Sequence, residues 1–103
     1  RDRLAGRAII VVGAGTGIGA ATAERLCVEG ARVCLADINL TAAEALAARL
    51  ADEGHEAFAV GIDIADEASV QEAFAAAVAR LGGLDGAHVN AADLRTIFQD
   101  SDA

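Results

Sequence analysis

Ala8 to Val12 is a short, wholly apolar run, rich in β-branched residues and without polar alternation, and it predicts a strand buried on both faces. Spaced glycines follow it directly. From Ile18 to about Glu29 the pattern becomes helical, with Ile18, Ala21, Leu26 and Cys27 as the apolar set and Gly30 as a left-handed C-cap. A second apolar run, Arg32-Val33-Cys34-Leu35-Ala36, closes at Asp37. Thr41-Ala42-Ala43-Glu44 reads as a capping box, so the next helix is expected to start at Thr41, run to about Glu53 and stop at Gly54. A third strand over Ala57 to Ile62 leads to Asp63, and Asp66 suits the cap of a helix carrying Val70, Phe74, Ala77, Val78 and Leu81 at spacings of three or four. Phe74 is assigned to the core, Gly82-Gly83 ends that helix, and a fourth strand is expected over Ala87 to Asn90.

Strand and helix alternate along the whole chain with short connections, which is the signature of a parallel sheet with crossover helices. The glycines fall where the first strand turns into the first helix, in Gly13-Ala14-Gly15-Thr16-Gly17-Ile18-Gly19. Unpaired N–H groups at a helix start point outward, and the helix dipole adds about half a positive charge there, so a pyrophosphate is held without Lys or Arg. The looser dinucleotide pattern Gly-x-Gly-x-x-Gly/Ala is met by Gly15, Gly17 and Ala20. Asp37 ends the second strand about 20 residues beyond the glycines, where a dinucleotide fold places the carboxylate that reads the adenosine ribose. A carboxylate there accepts bonds from ribose hydroxyls and repels a 2′-phosphate, which favours NAD over NADP. No Arg lies in the loop, and Ile38 rather than a basic residue follows Asp37.

Gly13-x-x-x-Gly17-x-Gly19 directly after an apolar strand, with Ile18 inside the pattern, resembles the cofactor loop of the short-chain dehydrogenase/reductase family. The family's usual Thr ahead of the first glycine, whose hydroxyl braces the loop, is Val12 here. The resemblance implies an α/β fold, a doubly wound parallel sheet of Rossmann type, incomplete in this chain at about four strands and three helices. It implies NAD contacts at Gly13, Gly15, Thr16, Gly17, Ile18 and Gly19, at Asp37 and Ile38, and at Asp63 and Ile64, where the aspartate meets the adenine amino group. Asn90-Ala91-Ala92-Asp93 stands where the family carries Asn-Asn-Ala-Gly. Cofactor contact is carried over to Asn90, Ala91 and Ala92, and Asp93 replaces a glycine that permits close backbone approach. The bland alternative for Asp63 and Asp66 is that they organise a turn and cap a helix.

The family transfers hydride with a Ser and a Tyr-x-x-x-Lys pair beyond its fourth strand, and this chain has no Tyr and no Lys. Ser69 starts a helix and Ser101 lies in an acidic tail, so no catalytic residue is assigned. There is no Met, and the chain is expected to be the cofactor half, residues 1–103, of a single larger domain whose catalytic half is absent. The full-length protein is expected to interconvert a secondary alcohol and a ketone, binding substrate through the absent half and assembling as a tetramer or dimer. The expected edge strand after Asp85 carries no charge or Pro to protect it, so a partner strand is expected beside it that this chain does not supply. With an Ala-rich core the isolated piece is expected to be marginally stable.

Composition narrows the alternatives. The 103 residues are 54% hydrophobic, with no transmembrane-length apolar run and no secretory leader, which predicts a soluble cytoplasmic unit. A net charge of −8 argues against nucleic acid and anionic membrane as partners. Cys27 and Cys34 lack metal-ligand spacing and read as buried free thiols. His88 has no paired carboxylate or serine and reads as a core or edge residue, and His55 as exposed. An S-adenosylmethionine-binding methyltransferase also places glycines after its first strand and carboxylates after the next two, as Gly13, Gly15, Gly17, Asp37 and Asp63 do. Such enzymes carry an acidic residue just ahead of the glycines, where Val11 and Val12 stand. A non-catalytic nucleotide-binding module is the other alternative.

Overall fold

The structure is a computed structural model that describes residues 3–89. Its elements alternate in the expected order: β1 (Ala8–Val12), α1 (Gly17–Val28), β2 (Arg32–Asp37), α2 (Leu40–Asp52), β3 (Ala57–Gly61), α3 (Glu67–Leu81) and β4 (Gly86–Val89). The strands form one parallel sheet in the order β3-β2-β1-β4. Successive residues of a strand point to opposite faces, and the apolar set divides accordingly. Val11, Val33 and Leu35 pack under α1 and α2 with Ala23, Cys27, Leu46 and Leu50. Ala8, Ile10, Val12, Cys34, Ala36 and Phe58 pack under α3 with Ala73, Ala77 and Leu81. The sheet is thus covered on both faces, which is why β1 and β2 are apolar without alternation.

Three local expectations are corrected. Cys27 is buried and Leu26 partly buried as expected, but Ile18 and Ala21 are exposed, and the buried stripe of α1 is Gly19, Ala23 and Cys27, four residues apart. The buried stripe of α1 is made of small residues because that helix lies close to the backbone. The start of α2 is set by Asn39, whose side-chain oxygen accepts the Ala42 N–H at 3.1 Å, and not by a box at Thr41. Asn is at least as good an N-cap as Thr, and it stands where the chain turns off β2. Phe74 is only partly buried and Val78 is 43% exposed, while Phe58 on β3, 8% exposed, is the aromatic centre of that layer. The Arg80 guanidinium lies 4.0 Å from the Phe58 ring centroid and closes its outer side.

Other ends match the expectation. Asp66 caps α3 through bonds from Ala68 and Ser69 N–H, and Gly82, at φ 79, ends it in the left-handed conformation. β4 is held to β1 at its entry, where Asp85 N–H donates to the Ala8 carbonyl at 2.7 Å and its carboxylate accepts the Ala8 N–H at 2.8 Å.

Candidate functional site

Because the strands are parallel, their C-terminal ends share one edge of the sheet. β2 and β3 extend from one side of β1 and β4 from the other, so the chain reverses direction beside β1. Open parallel sheets bind ligands outside the carboxyl ends at such a reversal. The glycine loop emerges there.

The loop is tied down at several atoms. Gly13 has φ 87, which a side chain disfavours. Its N–H and that of Ala14 donate to the Ala36 carbonyl at 2.8 and 3.1 Å. The Thr16 hydroxyl donates to the Gly13 carbonyl at 2.9 Å, and Gly15 N–H donates to Asp37 Oδ2 at 2.7 Å. These bonds brace the loop where Val12 offers no hydroxyl. Thr16 is the N-cap residue of α1 but makes no side-chain capping bond. The N–H groups of Gly17, Ile18 and Gly19 therefore lack intrahelical acceptors at the positive end of the helix.

The loop glycines differ in what requires them. A Cβ on Gly19 would lie 1.9 Å from the Gly13 carbonyl oxygen, so that glycine is needed for α1 to approach the loop. A Cβ on Gly15 would meet Asp37 Oδ2 at 3.0 Å and Ala42 Cβ at 3.1 Å. Gly17 has neither constraint, with no positive φ and nothing within 4 Å of an added Cβ. A side chain at Gly17 would enter open space at the first turn of α1.

Asp37 is 5% exposed. Its second oxygen accepts the Asn39 N–H at 2.8 Å, so the same carboxylate joins the glycine loop to the start of α2. Around it the edge carries apolar surface: Ile18 is 72% exposed, Ile38 76% and Leu40 39%. Asp63 lies at the same edge, past the end of β3. Its N–H donates to the Ser69 hydroxyl at 2.8 Å and its Oδ1 accepts the Ala65 N–H at 3.0 Å, so it does organise its turn. Ile64 packs against the α3 layer.

Asn90, Ala91, Ala92 and Asp93 lie outside the described residues. His88 is exposed on β4, and His55 is half-buried rather than exposed. Cys27 and Cys34 are buried free thiols in the layers on opposite faces of the sheet. Burial pushes the Cys27 thiol up to about 11 and the Cys34 thiol up to about 12, so neither is a nucleophile at neutral pH. Sequence reasoning missed Asn39, Leu40 and Ser69 at this edge. The Asn at a strand-to-helix junction was the available signal for the first, and the other two depend on contacts across loops.

Residues 7–101 match the sequence family described as short chain dehydrogenase. The chain belongs to the short-chain dehydrogenase family. It is 48% identical over 89 residues to 2,5-dichloro-2,5-cyclohexadiene-1,4-diol dehydrogenase of Sphingobium indicum, covering 86% of this chain and 34% of that protein. The crystal structure of hydroxysteroid dehydrogenase from Escherichia coli superposes with a TM-score of 0.84 at 35% identity, over 85% of this chain and 37% of that one. A 3-ketoacyl-(acyl-carrier-protein) reductase from Brucella melitensis, solved in complex with NADH, gives a TM-score of 0.76 at 36% identity, over 82% of this chain and 33% of that one. The chain spans about a third of the length of the curated relatives it matches. The segment shared with the short-chain dehydrogenase family contains the whole glycine loop, Asp37 and Asp63.

Proposed function

We propose that this chain is the NAD-binding part of a short-chain dehydrogenase/reductase domain whose catalytic half is not in these 103 residues. The observation that carries the reading is the buried Asp37 carboxylate bonded to the glycine loop beside the start of α1. A fixed negative charge so close to an anion cradle opposes a phosphorylated ligand unless it gains compensating bonds. The two hydroxyls of an unphosphorylated ribose supply them, and a 2′-phosphate does not. Gly13, Gly17 and Gly19 admit the pyrophosphate, with Gly15 and Thr16 shaping the loop around it. Ile18 borders the nicotinamide side, Asp37 and Ile38 hold the adenosine ribose, and Asp63 and Ile64 meet adenine. The family resemblance extends cofactor contact to Asn90, Ala91 and Ala92 as well.

When bound, NAD supplies the hydride acceptor, and the protein supplies orientation. The full-length protein, in this reading, oxidises a secondary alcohol or reduces a ketone, and is a cytoplasmic homo-oligomer. This chain alone holds the cofactor without turning it over, having no Tyr and no Lys to move the alcohol proton. Membership of the short-chain dehydrogenase family does not favour the methyltransferase alternative.

A hydrogen bond to a charged group contributes about 1.5–3 kcal/mol, so Asp37→Ala is expected to weaken NAD by about one to two orders of magnitude. Calorimetric titration checks it. Equal NAD affinity in the variant, or tighter binding of S-adenosylmethionine than of NAD by the unaltered chain, overturns the reading.

A further inference from the structure

Asp37 is a charged group almost removed from water, and it is secured by backbone donors on both sides: Gly15 N–H on Oδ2 at 2.7 Å and Asn39 N–H on Oδ1 at 2.8 Å. A carboxylate on an exposed side chain swings away from an incoming phosphate at little cost. This one does so only by leaving two amide protons without their acceptor. How firmly it refuses a 2′-phosphate therefore depends on how firmly the loop holds it.

We infer that Gly15 is a specificity-determining residue: by donating its N–H to Asp37 and having no side chain, it fixes the carboxylate where a ribose 2′-hydroxyl is accepted and a 2′-phosphate is refused. The inference rests on the NAD reading above. Gly15 does not need to be glycine for its own backbone, since its φ is not positive. A Cβ there would stand 3.0 Å from Asp37 Oδ2 and 3.1 Å from Ala42 Cβ, so one of these neighbours must give by a few tenths of an ångström to admit it. Ala42 Cβ is rigid on the backbone of α2, which packs on the sheet through Ala43, Leu46, Ala47 and Leu50, whereas the Asp37 carboxylate can turn about its side-chain bonds, so the carboxylate is the neighbour that yields. Gly15 is thus a positioning residue that acts through Asp37, across 22 positions of sequence.

The test compares the dissociation constants of NAD and NADP, by calorimetry, for the unaltered chain, Gly15→Ala and Gly15→Ala/Ala42→Gly. The unaltered chain is expected to prefer NAD. Gly15→Ala is expected to reduce that preference by about tenfold, the size of one charge-assisted bond. Removing the Ala42 methyl gives the new methyl room on the α2 side, so the double variant is expected to regain most of the preference. No preference in the unaltered chain overturns the NAD reading and this inference with it. A preference that survives Gly15→Ala unchanged overturns the inference alone. Should Gly15→Ala fail to melt cooperatively, the Gly15 amide of the unaltered chain decides by 1H–15N NMR. Its proton resonance is expected to stay downfield in saturating NAD and to move upfield in saturating NADP, and an identical position in both overturns the inference.

Discussion

Gly17 and Gly19 stand two positions apart in one loop, and only the second is a glycine on the protein's own account. An Ala at 19 drives its Cβ into the Gly13 carbonyl, so Gly19→Ala is expected to destabilise by about 3 kcal/mol or more in urea unfolding. At 17 the same methyl meets nothing within 4 Å and the backbone needs no positive φ, so Gly17→Ala is expected to stabilise the fold by about 0.4–1 kcal/mol. The same variant is expected to bind NAD at least about tenfold more weakly, because the methyl enters the cradle. The two thiols give a pH dependence. Their folded values, about 11 and 12 through burial, lie above the value of 9.0 for a free thiol. The unfolded chain therefore loses these protons first, and stability falls as pH rises past about 9. Thermal melts from pH 8 to 11 are expected to show that decline, and a flat profile contradicts it. At this scale the glycine loop and Asp37 were legible because strand, turn and acidic strand end are each local patterns. The Gly15–Asp37 bond was not, since it joins residues far apart in sequence.

The elements were legible where apolar period and turn chemistry agreed. β1 read correctly as a doubly buried strand, Gly82 as the end of α3, and Asp66 makes the helix cap that the bland alternative gave it. Errors came where two readings competed. Thr41 with Glu44 satisfied a capping pattern, but Asn39 captured the cap because the Asp37 carboxylate holds its N–H at the turn. Asn39→Ala is accordingly expected to cost about 1 kcal/mol, and Thr41→Ala, on an exposed position, close to nothing, by urea unfolding. The helical spacing of α3 placed Phe74 with the core, yet the stripe that meets the sheet is Ala73, Ala77 and Leu81, and Phe74 flanks it. Phe58→Ala is expected to cost about 3–5 kcal/mol and Phe74→Ala clearly less; the reverse order contradicts this packing.

On the scale of the molecule, parallel strands and helices on both faces bring the ends of β1, β2 and β3 to one edge, and with them Gly13–Gly19, Asp37 and Asp63. Alternation of elements made this arrangement legible, because right-handed crossovers leave few ways to order the strands. What alternation did not convey is how the edge is linked. Asp37 connects the loop to α2, and Ser69 connects α3 to the Asp63 turn, so a ligand seated there braces elements from both layers. The most direct test of NAD binding at this edge is a 1H–15N NMR titration of the 103-residue chain with NAD. The largest shifts are expected at the amides of Gly17, Ile18 and Gly19, with further shifts at Gly15, Ile38 and Ile64. An absence of shifts at millimolar NAD, or shifts confined to residues away from the C-terminal ends of the strands, would contradict it.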